Sequence, residues 1–76
     1  MERQKVVSSN IRSIGYDVAQ RVLEVEFFSG KVYRYADVPA ELYVEMRGAE
    51  SIGRYFGARV KGVYACEQVD LSTTGG

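Results

Sequence analysis

Hydrophobic and polar residues alternate most regularly over residues 22–27. The apolar side chains there would lie on one face of a strand, and Glu24 and Glu26 would lie on the other. This alternation is typical of an antiparallel strand with one buried and one solvated face. The segment 10–16 predicts a preceding strand, and residues 17–20 predict the turn between the two, because Asp17 can bond backbone groups ahead of it.

A hairpin follows this strand, and it can close in two registers. A two-residue loop would pair Val25 with Arg34 and would place the arginine on the apolar face. A three-residue loop that ends at Gly30 would pair Val25 with Tyr33, and Glu24 with Arg34, so that apolar meets apolar and opposite charges meet on the solvated face. Because a slip of one residue moves every side chain to the other face, we predict the three-residue loop.

A 3.6-residue period in the second half of the chain predicts two helices. Pro39 suits the first turn of the first helix, and Gly48 is a natural stop at its C-terminal end. Ser51 would cap a second helix over residues 52–61. The apolar residues predicted to share a face are Leu42, Tyr43, Met46 and Ala49 in the first helix and Ile52, Tyr55, Phe56 and Val60 in the second. The expected fold is therefore α+β, a three-stranded antiparallel β-meander packed against two C-terminal helices.

Composition excludes several classes of function. The 76 residues suffice for one domain, and ten basic residues balance ten acidic ones, so no net field steers the chain to nucleic acid. With one cysteine and no histidine, we expect no internal disulfide, no zinc or other metal site, no cofactor and no Ser-His-Asp or Cys-His catalytic set. No apolar run approaches the ~20 residues of a membrane span. These features predict a cytoplasmic protein that is not an enzyme and has no membrane partner.

Two polar or aromatic segments each have two interpretations. Tyr33 and Tyr35 flank Arg34 on a predicted strand. Their rings could stack unpaired bases on an open sheet face, or they could pack in the core beneath the helices, as the three-residue loop implies. The cluster 8–10, Ser-Ser-Asn, could bind a ligand through its hydroxyl and amide groups, or it could cap backbone groups at the entry to the first strand.

Basic residues cluster in and around the second predicted helix. Between residues 47 and 64 only Glu50 offsets four of them, which are Arg47, Arg54, Arg59 and Lys61. Tyr55 lies among them, and basic residues interleaved with aromatic ones suit phosphate contact and base stacking. The alternative interpretation is an ordinary solvated helix face.

Several separate segments, in order, resemble the KTSC domain, a small module found at the C-terminus of some lysyl-tRNA synthetases and as a stand-alone bacterial protein. The matching segments are 9–11, 13–17, 23–27, Gly30, Tyr33-Arg34-Tyr35, Val38-Pro39 and 51–56. The resemblance predicts a KTSC-like domain over residues 7–64, with 1–6 and 65–76 as flexible or extended termini. RNA binding is the activity that the synthetase fusion suggests. Where many relatives carry Asn after the aromatic pair of the second helix, this chain has Gly57.

The sequence therefore favours a small binding module with no catalytic residues. RNA or another single-stranded nucleic acid is the first candidate partner, with Tyr55 as the stacking ring. The candidate nucleic-acid-binding residues are Arg12, Arg34, Arg54, Tyr55, Arg59 and Lys61. The alternative is a protein-interaction or dimerisation module that uses the open sheet face or a sheet edge, with Val22, Phe28 and Val32 as exposed apolar residues.

Overall fold

The computed structural model describes residues 3–6 and 8–69, which form a five-stranded antiparallel sheet with two helices packed on one face. The elements in chain order are β1 (Arg3–Lys5), β2 (Ile11–Asp17), β3 (Val22–Phe27), β4 (Val32–Tyr35), α1 (Ala40–Gly48), α2 (Ile52–Arg59) and β5 (Cys66–Val69). The strands lie across the sheet in the same order as in the chain. The predicted α+β class with an antiparallel sheet and two helices is confirmed.

The β3–β4 hairpin adopts the predicted three-residue register. Val25 pairs with Tyr33 and Glu24 pairs with Arg34. Gly30 has a φ of +94°, a left-handed conformation that glycine adopts without strain and that closes this type of loop. The expected cross-strand ion pair is present, because Arg34 Nε lies 2.8 Å from Glu24 Oε2.

The prediction of three strands is wrong, since the sheet has five. β1 and β5 add one edge strand on each side, and they come from segments that were assigned to flexible or extended termini. The segment Arg3–Lys5 contains no apolar residue, so its strand depends on backbone pairing with β2 and not on a hydrophobic pattern. The expectation for residues 70–76 lies outside the described residues.

The hydrophobic core lies between the sheet and the helices. Ile14, Leu23 and Val25 of the sheet pack in one buried cluster with side chains of both helices, among them Met46 and Phe56. The predicted end of the first helix is confirmed, because α1 ends at Gly48. The predicted cap of the second helix is confirmed as well, because the hydroxyl of Ser51 accepts a hydrogen bond from the backbone N–H of Arg54. The second helix is shorter than predicted and ends at Arg59.

The sheet face opposite the helices is charged. Glu24 is only 7% exposed and accepts Arg3 on one carboxylate oxygen, at 3.3 Å, and Arg34 on the other, at 2.8 Å. The expectation that Val32 is exposed on this face is wrong, because its exposed fraction is 1%. β5 converts β4 from an edge strand to an internal one, so Val32 lies between a β3 neighbour, Glu26, and a β5 neighbour, Val69. Val22, also expected to be exposed, is half-buried.

Candidate functional site

A concave surface with a volume of about 710 Å³ runs between the β3–β4 hairpin and α2. We call it the hairpin–helix groove. Its lining residues are Ser9, Asn10, Phe27, Phe28, Ser29, Lys31, Tyr33, Tyr35, Gly53, Phe56, Gly57, Lys61, Gly62 and Cys66. They come from the loop before β2, the hairpin, α2 and the start of β5, so the groove exists only in the folded chain.

Aromatic rings form one side of the groove. Phe56 packs edge-to-face against Phe27 and against Tyr35, with ring centroids 5.5 Å apart in both pairs, and Tyr33 packs edge-to-face against Phe27 at 5.8 Å. These contacts hold the rings in place and are a favourable arrangement for aromatic pairs. Phe28 differs from them because 56% of its surface is exposed, so its ring is available to a bound molecule.

The charge of the groove is one-sided. Lys31 and Lys61 line it, and no described lining residue is an aspartate or a glutamate. The chain as a whole is neutral, with ten basic and ten acidic residues. The groove is therefore a local positive site on a neutral protein, and it favours an anionic ligand.

The polar side of the groove is held by the loop before β2. The hydroxyl of Ser8 accepts hydrogen bonds from the backbone N–H groups of Asn10 and Ile11, at 3.4 and 3.3 Å, and donates to Asn10 Oδ1 at 3.1 Å. The capping interpretation of the 8–10 cluster is confirmed for Ser8, which binds the backbone at the strand entry. Ser9 and Asn10 line the groove, and ligand binding by them stays a prediction.

Asn10 also contacts α2. A Cβ atom placed on Gly53 would lie 2.7 Å from Asn10 Oδ1 and 3.5 Å from Ser8 Oγ, whereas one placed on Gly57 would meet no atom within 4 Å. Gly53 is therefore the point where the loop packs directly on the helix backbone. Gly57 opens onto the groove.

These two glycines give a matched stability prediction. Gly57→Ala should raise the free energy of unfolding by about 1 kcal/mol, because alanine is the better helix former and has room. Gly53→Ala should not be stabilised, because the added methyl group would displace Asn10 from Ser8 and offset the gain in helix propensity. Chemical denaturation of both variants, and of Gly53→Ala combined with Asn10→Ala, measures the difference. Equal stabilisation by both single variants would show that the contact between Asn10 and Gly53 costs nothing to break.

The six residues predicted to bind nucleic acid do not lie together. Lys61 lines the groove, and Arg54 is exposed on α2 three residues before Gly57. Arg34 lies on the opposite sheet face, paired with Glu24. Arg12 is exposed at the irregularity in β2, where the register with β3 shifts between Ile11 and Ser13.

Tyr55 and Arg59 belong to a contact between the two helices. The Tyr55 hydroxyl donates to Glu45 Oε2 at 2.8 Å, and the Arg59 guanidinium lies 5.8 Å from the centre of the Tyr55 ring. Partial burial, followed by the hydrogen bond to Glu45, raises the pKa of Tyr55. Its ring already has a cation on one face, so it is a poorer stacking surface than Phe28.

Tyr35 and Cys66 line both the groove and a second cavity of about 490 Å³. That cavity contains Arg34 together with the carboxylates of Asp17 and Glu67, so it has no preference for one sign of charge. Burial, followed by the charge that Cys66 would carry when ionised, raises the pKa of Tyr35 to about 12. A tyrosine with this pKa is neutral at physiological pH and does not serve as a base there.

Sequence reasoning missed Lys31 and Asn10 as parts of one site with Lys61. A signal for Asn10 was Gly53, a glycine inside a predicted helix, because a glycine there permits close approach of another segment, and the structure places Asn10 at that point. Within residues 3–6 and 8–69, no group of three or more His, Cys, Asp or Glu side chains is placed to hold a metal ion. In the same part of the chain, neither helix has the length and apolar character needed to cross a bilayer.

Comparison with known proteins gives one consistent family. The model of the KTSC domain matches residues 7–64. A crystal structure of a KTSC domain protein from Yersinia pestis superposes with a TM-score of 0.89 at 39% identity, over 91% of this chain and 97% of that one. An uncharacterised protein of Stutzerimonas stutzeri is 50% identical over 56 residues, which are 74% of this chain and 79% of that protein.

The chain is also similar to part of a much longer protein. A lysine–tRNA ligase of Trichormus variabilis is 37% identical over 65 residues, which are 86% of this chain and 12% of the ligase. The similarity thus covers a small segment of that enzyme.

Proposed function

This chain belongs to the KTSC domain family, and from that premise we propose that it is a non-enzymatic module that binds single-stranded RNA in the hairpin–helix groove. The observation that carries the proposal is the one-sided charge of the groove: Lys31 and Lys61 line it and no described carboxylate does. An anionic ligand gains from both lysines there, on a protein whose net charge is zero.

The aromatic side of the groove favours a nucleic acid over a simple anion. Phe28 offers an exposed ring in the groove that the two lysines line, and the stacking of one base on an aromatic ring contributes about 1–3 kcal/mol. Tyr33 lines the same groove. Since bases in a duplex are stacked on one another and are not available to such rings, the proposal is for single strands.

Similarity to lysine–tRNA ligases agrees with an RNA ligand. The ligase of Trichormus variabilis contains a segment 37% identical to this chain, and its name states that it acts on tRNA. The segment is 12% of that enzyme, so the ligase chemistry is not part of the proposal. What we carry over is the class of ligand alone.

Titration of a labelled short single-stranded RNA, followed by fluorescence anisotropy at several salt concentrations, tests this function. We expect dissociation constants of about 10⁻⁴–10⁻⁶ M near physiological salt. Two lysine–phosphate contacts predict a slope of about −1.4 in a plot of log K against log salt concentration, since each contact on a single strand contributes about −0.7. The same RNA annealed to its complement should bind more weakly. Absent or salt-independent binding would contradict the proposal.

A second candidate is association through the edge of the sheet. β5 is one of the two outer strands, and its side chains from Cys66 to Gln68 are exposed. Among the described residues no strand pairs with its outer edge, which could take a strand of another molecule. Sedimentation at rising protein concentration distinguishes this function, because a mass that increases with concentration favours edge pairing.

A further inference from the structure

We propose that Asn10 selects the base that enters the hairpin–helix groove, by donating hydrogen bonds from its side-chain amide, and that it favours the keto bases uracil and guanine over the amino bases cytosine and adenine. The inference rests on the proposed function, because it assigns a base preference to the same RNA site. It depends on which end of the Asn10 amide faces the groove.

The hydroxyl of Ser8 decides the orientation of that amide. Its oxygen accepts from two backbone N–H groups, those of Asn10 at 3.4 Å and Ile11 at 3.3 Å. A serine hydroxyl has two acceptor lone pairs and one hydrogen, so the hydrogen remains as its donor. That hydrogen points to Asn10 Oδ1 at 3.1 Å. The carbonyl oxygen of the amide is therefore the end that is hydrogen-bonded within the protein.

Gly53 lies against the same oxygen. Asn10 Oδ1 lies where a Cβ on Gly53 would come within 2.7 Å, so the carbonyl end of the amide is the end that packs on the backbone of α2. Within residues 3–6 and 8–69, the amide nitrogen of Asn10 donates no hydrogen bond. The nitrogen, with two N–H donors, is thus the end that Asn10 offers to a molecule in the groove.

A backbone contact brings Asn10 and Phe28 together. The N–H of Phe28 donates to the backbone carbonyl of Asn10 at 3.1 Å, and both residues line the groove. We therefore expect a base stacked on Phe28 to have its edge within reach of Asn10. Uracil O4 and guanine O6 accept hydrogen bonds at the position where cytosine and adenine carry an amino group. An N–H donor therefore attracts the first two bases and meets another donor in the other two.

Competition between uridine and cytidine homopolymers of equal length tests the inference, since the two bases are of similar size. We expect the wild-type protein to bind the uridine polymer about fivefold more tightly, the effect of one hydrogen bond at an accessible site. Asn10→Asp, which replaces donors with an acceptor of the same shape, should reverse the order. Asn10→Ala should bind both polymers with equal affinity.

The outcomes separate the two proposals. Equal binding of both polymers by the wild-type protein would overturn the role of Asn10 and leave the RNA-binding function intact. A preference for uridine that survives in both Asn10 variants would overturn it as well. Failure to bind either polymer would overturn the proposed function itself.

Discussion

Replacing Phe56 with alanine is expected to lower the free energy of unfolding by about 3–5 kcal/mol, the usual cost of removing a buried aromatic side chain. Phe56 is 5% exposed, and it joins Phe27 and Tyr35 through edge-to-face contacts at 5.5 Å. Its loss would leave a cavity where α2 meets the sheet. Urea denaturation followed by circular dichroism measures the change.

A loss of this size is a large part of the whole stability of a small domain, which is about 4–11 kcal/mol for a chain of this length. Phe56→Leu retains most of the buried volume and gives a measurable intermediate if the alanine variant does not fold. Phe28→Ala is the matched control, because Phe28 is 56% exposed and its removal should change the stability by less than about 0.5 kcal/mol. The same control should weaken RNA binding. An equal stability loss in Phe28→Ala would place that ring in the core and remove it from the site.

Removing Lys31 and Lys61 together is expected to weaken single-stranded RNA binding by about tenfold to thirtyfold. Each lysine–phosphate contact at a solvated site contributes about 0.7–1 kcal/mol, and the two contributions add because the residues belong to separate elements. The slope against salt should also fall towards zero in Lys31→Ala/Lys61→Ala. Anisotropy titration of both proteins under identical salt conditions measures both effects.

The matched control removes the same charge away from the groove. Lys5 is exposed on β1, and Arg59 lies over the Tyr55 ring. Lys5→Ala/Arg59→Ala should change the affinity by less than about twofold, since neither side chain lines the groove. Equal losses in the two double variants would attribute binding to overall charge. A larger loss of affinity in the Lys5→Ala/Arg59→Ala control would indicate that RNA binds to the basic residues of the second helix and not in the groove.

The sequence predicted those parts of the fold that local patterns and one hairpin determine. The alternation over residues 22–27 together with the turn at Gly30 determined the register of β3 and β4, because the other register would bury Arg34 among apolar side chains. β1 and β5 could not be predicted in the same way. β1 is a short edge strand with no apolar residue to reveal it, and β5 is a short edge strand that pairs with a segment about 30 residues earlier in the chain.

The candidate site was less predictable, because it depends on contacts between distant parts of the chain. Arg34 and Tyr55 are residue types that can bind nucleic acid. In the folded chain, however, Arg34 pairs with Glu24 and the Tyr55 hydroxyl donates to Glu45. Lys31, conversely, is an unremarkable loop residue until the hairpin lies beside α2. Charge, aromatic content and the two faces of the β3–β4 hairpin could be read from the sequence, whereas the position of that hairpin against α2 could not.

The location of the RNA site is the central claim, and an amide NMR titration with short single-stranded RNA tests it most directly. We predict that the shifting signals are those of the groove: Lys31, Tyr33, Gly53, Gly57 and Lys61. Signals of Glu24 and Arg34, on the opposite sheet face, should stay unchanged. Shifts that centre on Glu24 and Arg34, or no shifts at saturating RNA, would contradict the account.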